Sequence, residues 1–302
     1  MNPATASLVT YVIPTYNHAH YLQEAIESLV KQTYDNIELI IINDGSTDDT
    51  EQVVEKIKNK CLNRFVRFKF VSRTNKGIVR SLNEGLEWSK GEFFSMLASD
   101  DVLLPNKTSL MVELLSNASR QIVAGFAGME IINSNSKSVG NFLPNAGVYD
   151  FEDIFLKRAP YSAPTQMIRT KALKSLGGYD EELKFEDWAI LLDLTFGGSQ
   201  IQVITDVVAK YRRHSTNISK QIINNHAYRM KVLQKFRHHE LFNEASARVL
   251  AGHASEIASI DHKKAFSSLI LAIAHNRRII FDKKFIRGSS DTIKAKIKAL
   301  FK

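Results

Sequence analysis

Leu8-Val9-Thr10-Tyr11-Val12-Ile13, closed by Pro14-Thr15-Tyr16-Asn17, is a short, mostly apolar run that reads as a strand buried on both faces. After it, Leu22, Ile26 and Leu29 recur at i, i+4 and i+7, which predicts a helix with Asn17 as its cap. Leu39-Ile40-Ile41-Ile42 predicts a second strand, ending at Asn43-Asp44-Gly45-Ser46. Ser46-Thr47-Asp48-Asp49 reads as a capping box opening a helix through Lys58. Strand Phe65–Val71, helix Ile78–Ser89 and strand Phe93–Leu97 continue the alternation. Strands and helices in strict alternation imply parallel pairing with right-handed crossovers, an α/β fold. Ligands in such sheets bind beyond the carboxyl ends of the strands. Here those ends carry Pro14 to Asn17, Asn43 to Ser46, and Ser99-Asp100-Asp101.

The later chain is less regular. Pro105–Ser116 reads as a helix with Leu110, Leu114 and Leu115 inward, and Ile122–Ile132 as strand-rich. Asn133–Gly147 is a polar loop, Ile201–Val208 a strand, and the chain beyond Ser219 is helical. Of 302 residues, 44% are hydrophobic and 24% charged, the balance of a globular protein rather than a disordered or fibrous one. A single cysteine, Cys61, excludes intrachain disulfides and Cys-rich zinc sites and fits a reducing compartment. Met1 to Ser7 carry neither a basic start nor an apolar stretch, so no signal peptide is visible. No apolar run approaches the ~20 residues of a spanning helix, and the expected location is cytoplasmic.

The net charge of +8 is unevenly placed. Residues 1–150 hold 14 Lys and Arg against 17 Asp and Glu, and residues 151–220 hold 10 against 9. Residues 221–302 hold 16 against 6, with six of the nine histidines. A region of that sign meets something anionic, nucleic acid or a membrane surface. Asp291–Lys302 is amphipathic, with Ile293, Ile297, Leu300 and Phe301 on one side and Lys294, Lys298 and Lys302 away from them. Such a helix either packs its apolar face on the domain or lies on an anionic membrane at the inner face.

No G-x-G-x-x-G follows the first strand and no G-x-x-x-x-G-K-[ST] occurs, so the usual backbone cradles for phosphates are missing. A nucleotide's phosphates then call for a metal ion and side chains. Adjacent Asp100 and Asp101 suit Mn2+ or Mg2+, or they simply open a turn before Pro105.

Taken in order, Val12 to Asn17, Ile42 to Asp48, Asn75-Lys76-Gly77, Leu97 to Asp101, Gly177-Gly178-Tyr179-Asp180-Glu181 and Phe185-Glu186-Asp187-Trp188 resemble the family 2 inverting glycosyltransferases of the GT-A fold. The resemblance covers about residues 8–219. It implies a mixed, largely parallel sheet flanked by helices, with a nucleotide-sugar half (1–101) and an acceptor half (102–219), then a basic helical region (220–302). Pro14, Thr15 and Tyr16, beside Asn17, would line the base and ribose of the donor. Asp44 would accept from the pyrimidine ring N–H. Many relatives have Asp where this chain has Asn43 and Ala98. Ser99 and Asp100 would meet the donor, with Asp100, Asp101 and His214 as the metal set. Asn75 would meet the donor, Arg73, Lys76 and Arg80 would lie on the donor side toward the diphosphate, and Arg212 or Arg213 would reach the diphosphate, unless Tyr211 to Ser219 is only a solvated basic loop.

Inversion needs a base on the face opposite the leaving diphosphate, and the resemblance places Asp187 there, with Glu186 orienting the site. Acids at the start of a helix running to Phe196 also suit the helix dipole, and the two readings are compatible. The implied substrates are a UDP- or dTDP-sugar and a hydroxyl of a lipid-linked oligosaccharide or polysaccharide, in bacterial surface-polysaccharide synthesis. A sugar-1-phosphate nucleotidyltransferase would need a Gly-rich basic loop where Pro14-Thr15-Tyr16-Asn17 stands. Nucleic-acid binding would want aromatics interleaved with the basic residues, and the Lys-rich tail from Arg277 on offers only Phe281, Phe285 and Phe301. A sugar-binding relative without catalysis would not need Asp44, Asp100, Asp101 and Asp187 together.

Overall fold

The computed structural model describes residues 6–183, 187–214, 217 and 222–300. Two compact units divide the chain, Met1–Phe151 with Ala159–His214, and Glu152–Arg158 with Ser215–Lys302. The first runs β1 (Val9–Thr15), α1 (Ala19–Val30), β2 (Ile37–Asp44), α2 (Thr50–Arg64), β3 (Arg67–Arg73), α3 (Ile78–Trp88) and β4 (Phe93–Met96). It continues through β5 (Val102–Leu103), α4 (Lys107–Asn117), β6 (Ile122–Asn133), β7 (Ser138–Phe142) and β8 (Gly147–Tyr149). After the short α5 (Phe151–Phe155), which from Glu152 on belongs to the second unit, the first unit resumes with β9 (Met167–Arg169), α6 (Thr170–Ser175), α7 (Asp187–Thr195) and β10 (Gln200–Arg213).

One mixed sheet has the order β3-β2-β1-β4-β9-β6-β10-β5, with β7 on β6 and β8 on β10. β1 pairs in parallel with β2 and β4, and β2 with β3. β6 and β10 are also parallel, while β9 runs antiparallel between β4 and β6. Both β1 and β2 are buried at every position, as their uninterrupted apolar runs require. Tyr11, Ile13, Leu39 and Ile41 form one core with Leu22, Ile26 and Leu29 of α1.

Local details differ from the sequence reading. α2 runs on to Arg64 and β10 to Arg213, past the predicted ends at Lys58 and Val208. The predicted polar loop contains β7 and the start of β8, because pairing of β7 with β6 and of β8 with β10 satisfies polar strands that periodicity alone does not reveal. α4 buries Met111, Val112 and Leu115, leaving Leu110 and Leu114 partly covered. At its first residue, the Lys107 ammonium is fully enclosed. It donates to Tyr11 Oη at 3.0 Å, Ser95 Oγ at 2.5 Å and the Gln166 carbonyl at 3.0 Å, and burial pulls its pKa down to about 7.

The second unit is helical: α8 (Ile222–Lys235), α9 (Phe242–Ile257), α10 (His262–His275), a 3₁₀ turn Arg277–Phe281 and α11 (Lys283–Leu300). α9 packs against the other three helices, and its Ala245, Ala247, Ala251 and Ala254 are fully buried, small enough for close approach. The rings of His226 and His253 stack 3.7 Å apart between α8 and α9. Among the described residues no helix is long and apolar enough to cross a membrane.

Candidate active site

The parallel strands deliver their carboxyl ends to one edge of the sheet. Thr15 lies opposite Asn43, and Asp44 opposite Arg73. Pro14 and Thr15 are buried within β1, and the Thr15 hydroxyl has no protein hydrogen-bond partner. The Tyr16 ring is 49% exposed. Asn17 has φ 53°, a left-handed conformation that Asn tolerates. It does not cap α1. Its Oδ1 accepts from Thr47 N–H at 2.8 Å, and its own N–H donates to Ser46 Oγ at 2.9 Å, so it ties the turn after β1 to the turn after β2.

Asp48 serves both helix starts. One carboxylate oxygen accepts from Ala19 N–H at 3.0 Å, the other from Thr50 N–H at 3.1 Å and Thr50 Oγ1 at 2.5 Å. The predicted capping box is thus replaced by a carboxylate that bonds the first turns of α1 and α2 together. Asn43 closes the β2 turn by accepting from Ser46 N–H at 3.0 Å.

Asp44 holds the next loop. Its oxygens accept from the backbone N–H of Lys76 and Gly77, each at 2.8 Å, and from the Arg73 guanidinium. A carboxylate has about four acceptor positions, so capacity remains on Oδ2. Gly45 has φ +78°, and a Cβ there would stand 2.7 Å from Asn75 N, so only glycine lets these two loops pass. Asn75 and Lys76 are exposed. Arg73 also pairs with Glu84 at 2.9 Å, and Arg80 with Glu181 at 2.7 Å.

Beyond β4 the metal candidates assemble. Asp100 Oδ2 and His214 Nε2 are 2.8 Å apart. His18, which the sequence reading missed, joins them: ligand atoms of His18, Asp100 and His214 all lie within 4.8 Å of one another. Ser99 Oγ fixes the His18 ring through Nδ1 at 2.8 Å. Burial, reinforced by the neighbouring His214, lowers the His18 pKa against the pull of Asp100, favouring the neutral ring that ligates metals. One carboxylate with two imidazoles is a donor set suited to Mn2+ and similar divalent ions, so the residues present fit the ion that the motifs imply.

Asp101 lies outside this converging group. It is 1% exposed, and its Oδ1 accepts from Arg212 N–H at 2.9 Å. Burial first, and the Asp100 charge second, push its pKa well up. Arg212 is also 1% exposed. Its guanidinium donates to the Asp100 carbonyl at 2.8 Å, Ser136 Oγ at 2.8 Å and Glu24 at 2.6 Å, and lies 4.8 Å from the Tyr21 ring centre. In this structure it braces the Asp100–Asp101 turn from beneath, where a diphosphate contact was expected. Arg213, the next residue on the strand, points the other way and is exposed.

Asp187 is the exposed first residue of α7 and accepts from Trp188 N–H at 2.7 Å. Trp188, Ile190, Leu191 and Leu192 are buried, so this carboxylate stands on a rigid support. Glu186 lies outside the described residues.

The glycosyl transferase family 2 model matches residues 10–177. An uncharacterized glycosyltransferase of Rickettsia prowazekii (strain Madrid E) is 32% identical over 222 residues, covering 72% of this chain and 67% of that protein. Among solved structures, S. aureus TarS 1-349 in complex with UDP-GlcNAc matches with a TM-score of 0.63 at 22% identity, over 95% of this chain and 81% of that one. Mannosyltransferase PcManGT from Pyrobaculum calidifontis, in complex with GDP-Man and Mn2+, matches with a TM-score of 0.59 at 17% identity, over 99% and 88%. At these identities the structural likeness shows the fold, a GT-A-type sheet flanked by helices.

Proposed function

The chain belongs to glycosyl transferase family 2 and is a glycosyltransferase, and on that premise we propose metal-dependent, inverting transfer from a UDP- or dTDP-sugar. The acceptor is a hydroxyl of a lipid-linked oligosaccharide or polysaccharide, in bacterial surface-polysaccharide synthesis, with the enzyme in the cytoplasm and peripheral at the inner face of the membrane. The observation that carries this reading is the convergence of His18, Asp100 and His214 on the sheet edge that also holds Asp44.

The Tyr16 ring packs on the base, in a pocket floor built with Pro14, Thr15 and Asn17. Asp44 Oδ2 accepts the pyrimidine N–H, and its grip on Lys76 and Gly77 holds the Asn75–Gly77 loop in place. Exposed Lys76, Arg80 and Arg213 offer charge to the diphosphate. Asp100 and His214, with His18 beside them, would hold Mn2+ or Mg2+, which when bound would supply positive charge against the leaving diphosphate. Asp187 takes the acceptor hydroxyl proton as that oxygen bonds to the anomeric carbon. The bond to the diphosphate breaks with its electron pair on the departing oxygen. Glu186 orients the acceptor.

Calorimetric titration with UDP, dTDP, CDP and GDP, each with Mn2+ and with EDTA, tests the donor site. UDP or dTDP is expected to bind only with metal, and Asp100→Ala to remove that binding. Asp187→Asn is expected to lower turnover by about 10²–10⁴ while donor binding stays. Full turnover in Asp187→Asn would sink the base assignment, and a folded protein that binds none of the four would sink the donor reading.

A further inference from the structure

A helix on a protein surface ordinarily turns its large apolar residues inward. α11 does the reverse. Gly288 and Thr292 are buried, and Phe285 and Ala295 pack on the core made by α9 and α10. A Cβ at Gly288 would lie 2.9 Å from the Ala251 carbonyl oxygen, so α11 meets α9 backbone to backbone. Ile286, Ile293 and Ile297, at i, i+7 and i+11, form a stripe on the outside, each half or more exposed. α10 behaves alike: Ala265, Ser268, Leu269 and Ala272 face inward, while Phe266, Ile270 and Leu271 are more than half exposed. In the turn between the two helices the Phe281 ring is 80% exposed.

Basic residues border this apolar surface. At 100° per residue, Lys283, Arg287 and Lys294 flank the isoleucine stripe on one side and Lys296 on the other. Residues 262–298 contain ten Lys and Arg but only two acids, and both are engaged: Asp282 with Arg248 at 3.0 Å, Asp291 with Ser255 Oγ at 2.5 Å. A second copy would bring the same positive charge to the same face. A polyanion such as nucleic acid would use the lysines and leave the isoleucines in water. A bilayer with anionic headgroups takes both, the apolar side chains entering the headgroup boundary while the lysine stems reach outward to phosphates.

We propose that the outer faces of α10 and α11, with Phe281 between them, are a docking surface for an anionic lipid bilayer. The proposal deepens the peripheral-membrane part of the functional reading, and rests on that reading only for which membrane is met. Of the two fates that the amphipathic tail allowed, the structure leaves Ile293 and Ile297 unused by the domain. Leu300 has no described side chain, and Phe301 and Lys302 lie outside the described residues.

The test is flotation of the full-length chain with vesicles of phosphatidylcholine alone or mixed with phosphatidylglycerol, at low and high salt. Binding is expected to the anionic vesicles, about tenfold or more above the neutral ones, and to weaken with salt. Ile293→Ser with Ile297→Ser, at exposed positions and checked for helicity, is expected to lose about tenfold or more. Lys294→Gln with Lys296→Gln is expected to lose several-fold and part of the salt dependence. Calorimetric UDP binding with Mn2+ serves as the separate readout and is expected to be unchanged in both variants. Anionic vesicles left unbound, or bound equally by the isoleucine variant, would overturn the proposal. So would a dimer in sedimentation that the isoleucine variant dissolves, which would make a second copy the occupant. Vesicle binding without any UDP binding would instead remove the donor reading and leave the docking surface standing.

Discussion

The two units differ in the charges they bury and in the apolar residues they expose. In the first, Arg212, Lys107, Asp44 and Glu38 are buried and each is tied to several partners. In the second, the Nδ1 atoms of His226 and His253 are buried without a hydrogen-bond partner. That smaller unit also carries nine of the seventeen large hydrophobics exposed among the described residues. A buried charge is tolerable only when it is satisfied, and the wiring of the first unit satisfies each of these four. The second unit has its own apolar core and still leaves a stripe of large apolar residues outside. The difference separates chemistry from placement: one unit fixes charges for a reaction, the other presents a face.

Arg212→Ala should break the first unit's pattern most severely. It removes the guanidinium's hydrogen bonds to the Asp100 carbonyl, Ser136 and Glu24 and keeps the backbone N–H on Asp101, and urea unfolding is expected to show a loss of about 3 kcal/mol. Arg213→Ala, one residue away and exposed, is expected to stay within about 0.5 kcal/mol. Equal stability losses would remove the brace, and a stable Arg212→Ala protein that fails only to bind donor would restore the diphosphate contact.

A smaller effect belongs to Lys107. Burial lowers its folded pKa to about 7, whereas the unfolded chain keeps the proton up to about pH 10. The unfolded state therefore binds more protons in between, so this group makes stability rise with pH above 7 and contributes a constant penalty below. Lys107→Met is expected to flatten the slope between pH 7 and 9 by on the order of 1 kcal/mol per pH unit. An unchanged slope in denaturant melts would show that the ammonium stays charged in the core.

The smallest effect lies in the second unit. Burial, then the His253 ring and Arg229, lower the His226 pKa to about 4. Between about pH 6.5 and 4 the unfolded chain takes up the proton and the folded one does not, so stability present at neutral pH is lost as the pH falls. Hydrogen exchange, corrected for intrinsic rates, should show α8 and α9 losing protection from pH 7 to 5, and less so in His226→Phe. Identical losses in both proteins would exclude the stacked pair as the cause.

Much of the first unit was legible because a parallel sheet leaves two plain marks: unbroken apolar strands and polar turns at their ends. Asp44, Asp100 and His214 follow from those marks together with the family motifs. His18 did not, because beside Asn17 it reads as an ordinary residue at a helix start; only the fold brings it to Asp100. Arg212 and Arg213 are indistinguishable beyond a strand that ends at Val208. Carried on to Arg213, the alternation of side chains along a strand puts the two arginines on opposite faces. In α11 the amphipathic stripe was visible, but periodicity cannot say which face turns inward. Gly288 was the available signal, since a mid-helix glycine costs stability unless another backbone comes close.

Asp48 couples events that lie far apart along the chain. One carboxylate holds the first turns of α1 and α2, while Asn17 laces the preceding turns to each other. Neither turn can open without releasing the other, so the segments after β1 and β2 form a single cooperative opening unit. Two walls of the proposed donor pocket would then share one lifetime, and a nucleotide that steadied either of them would steady both.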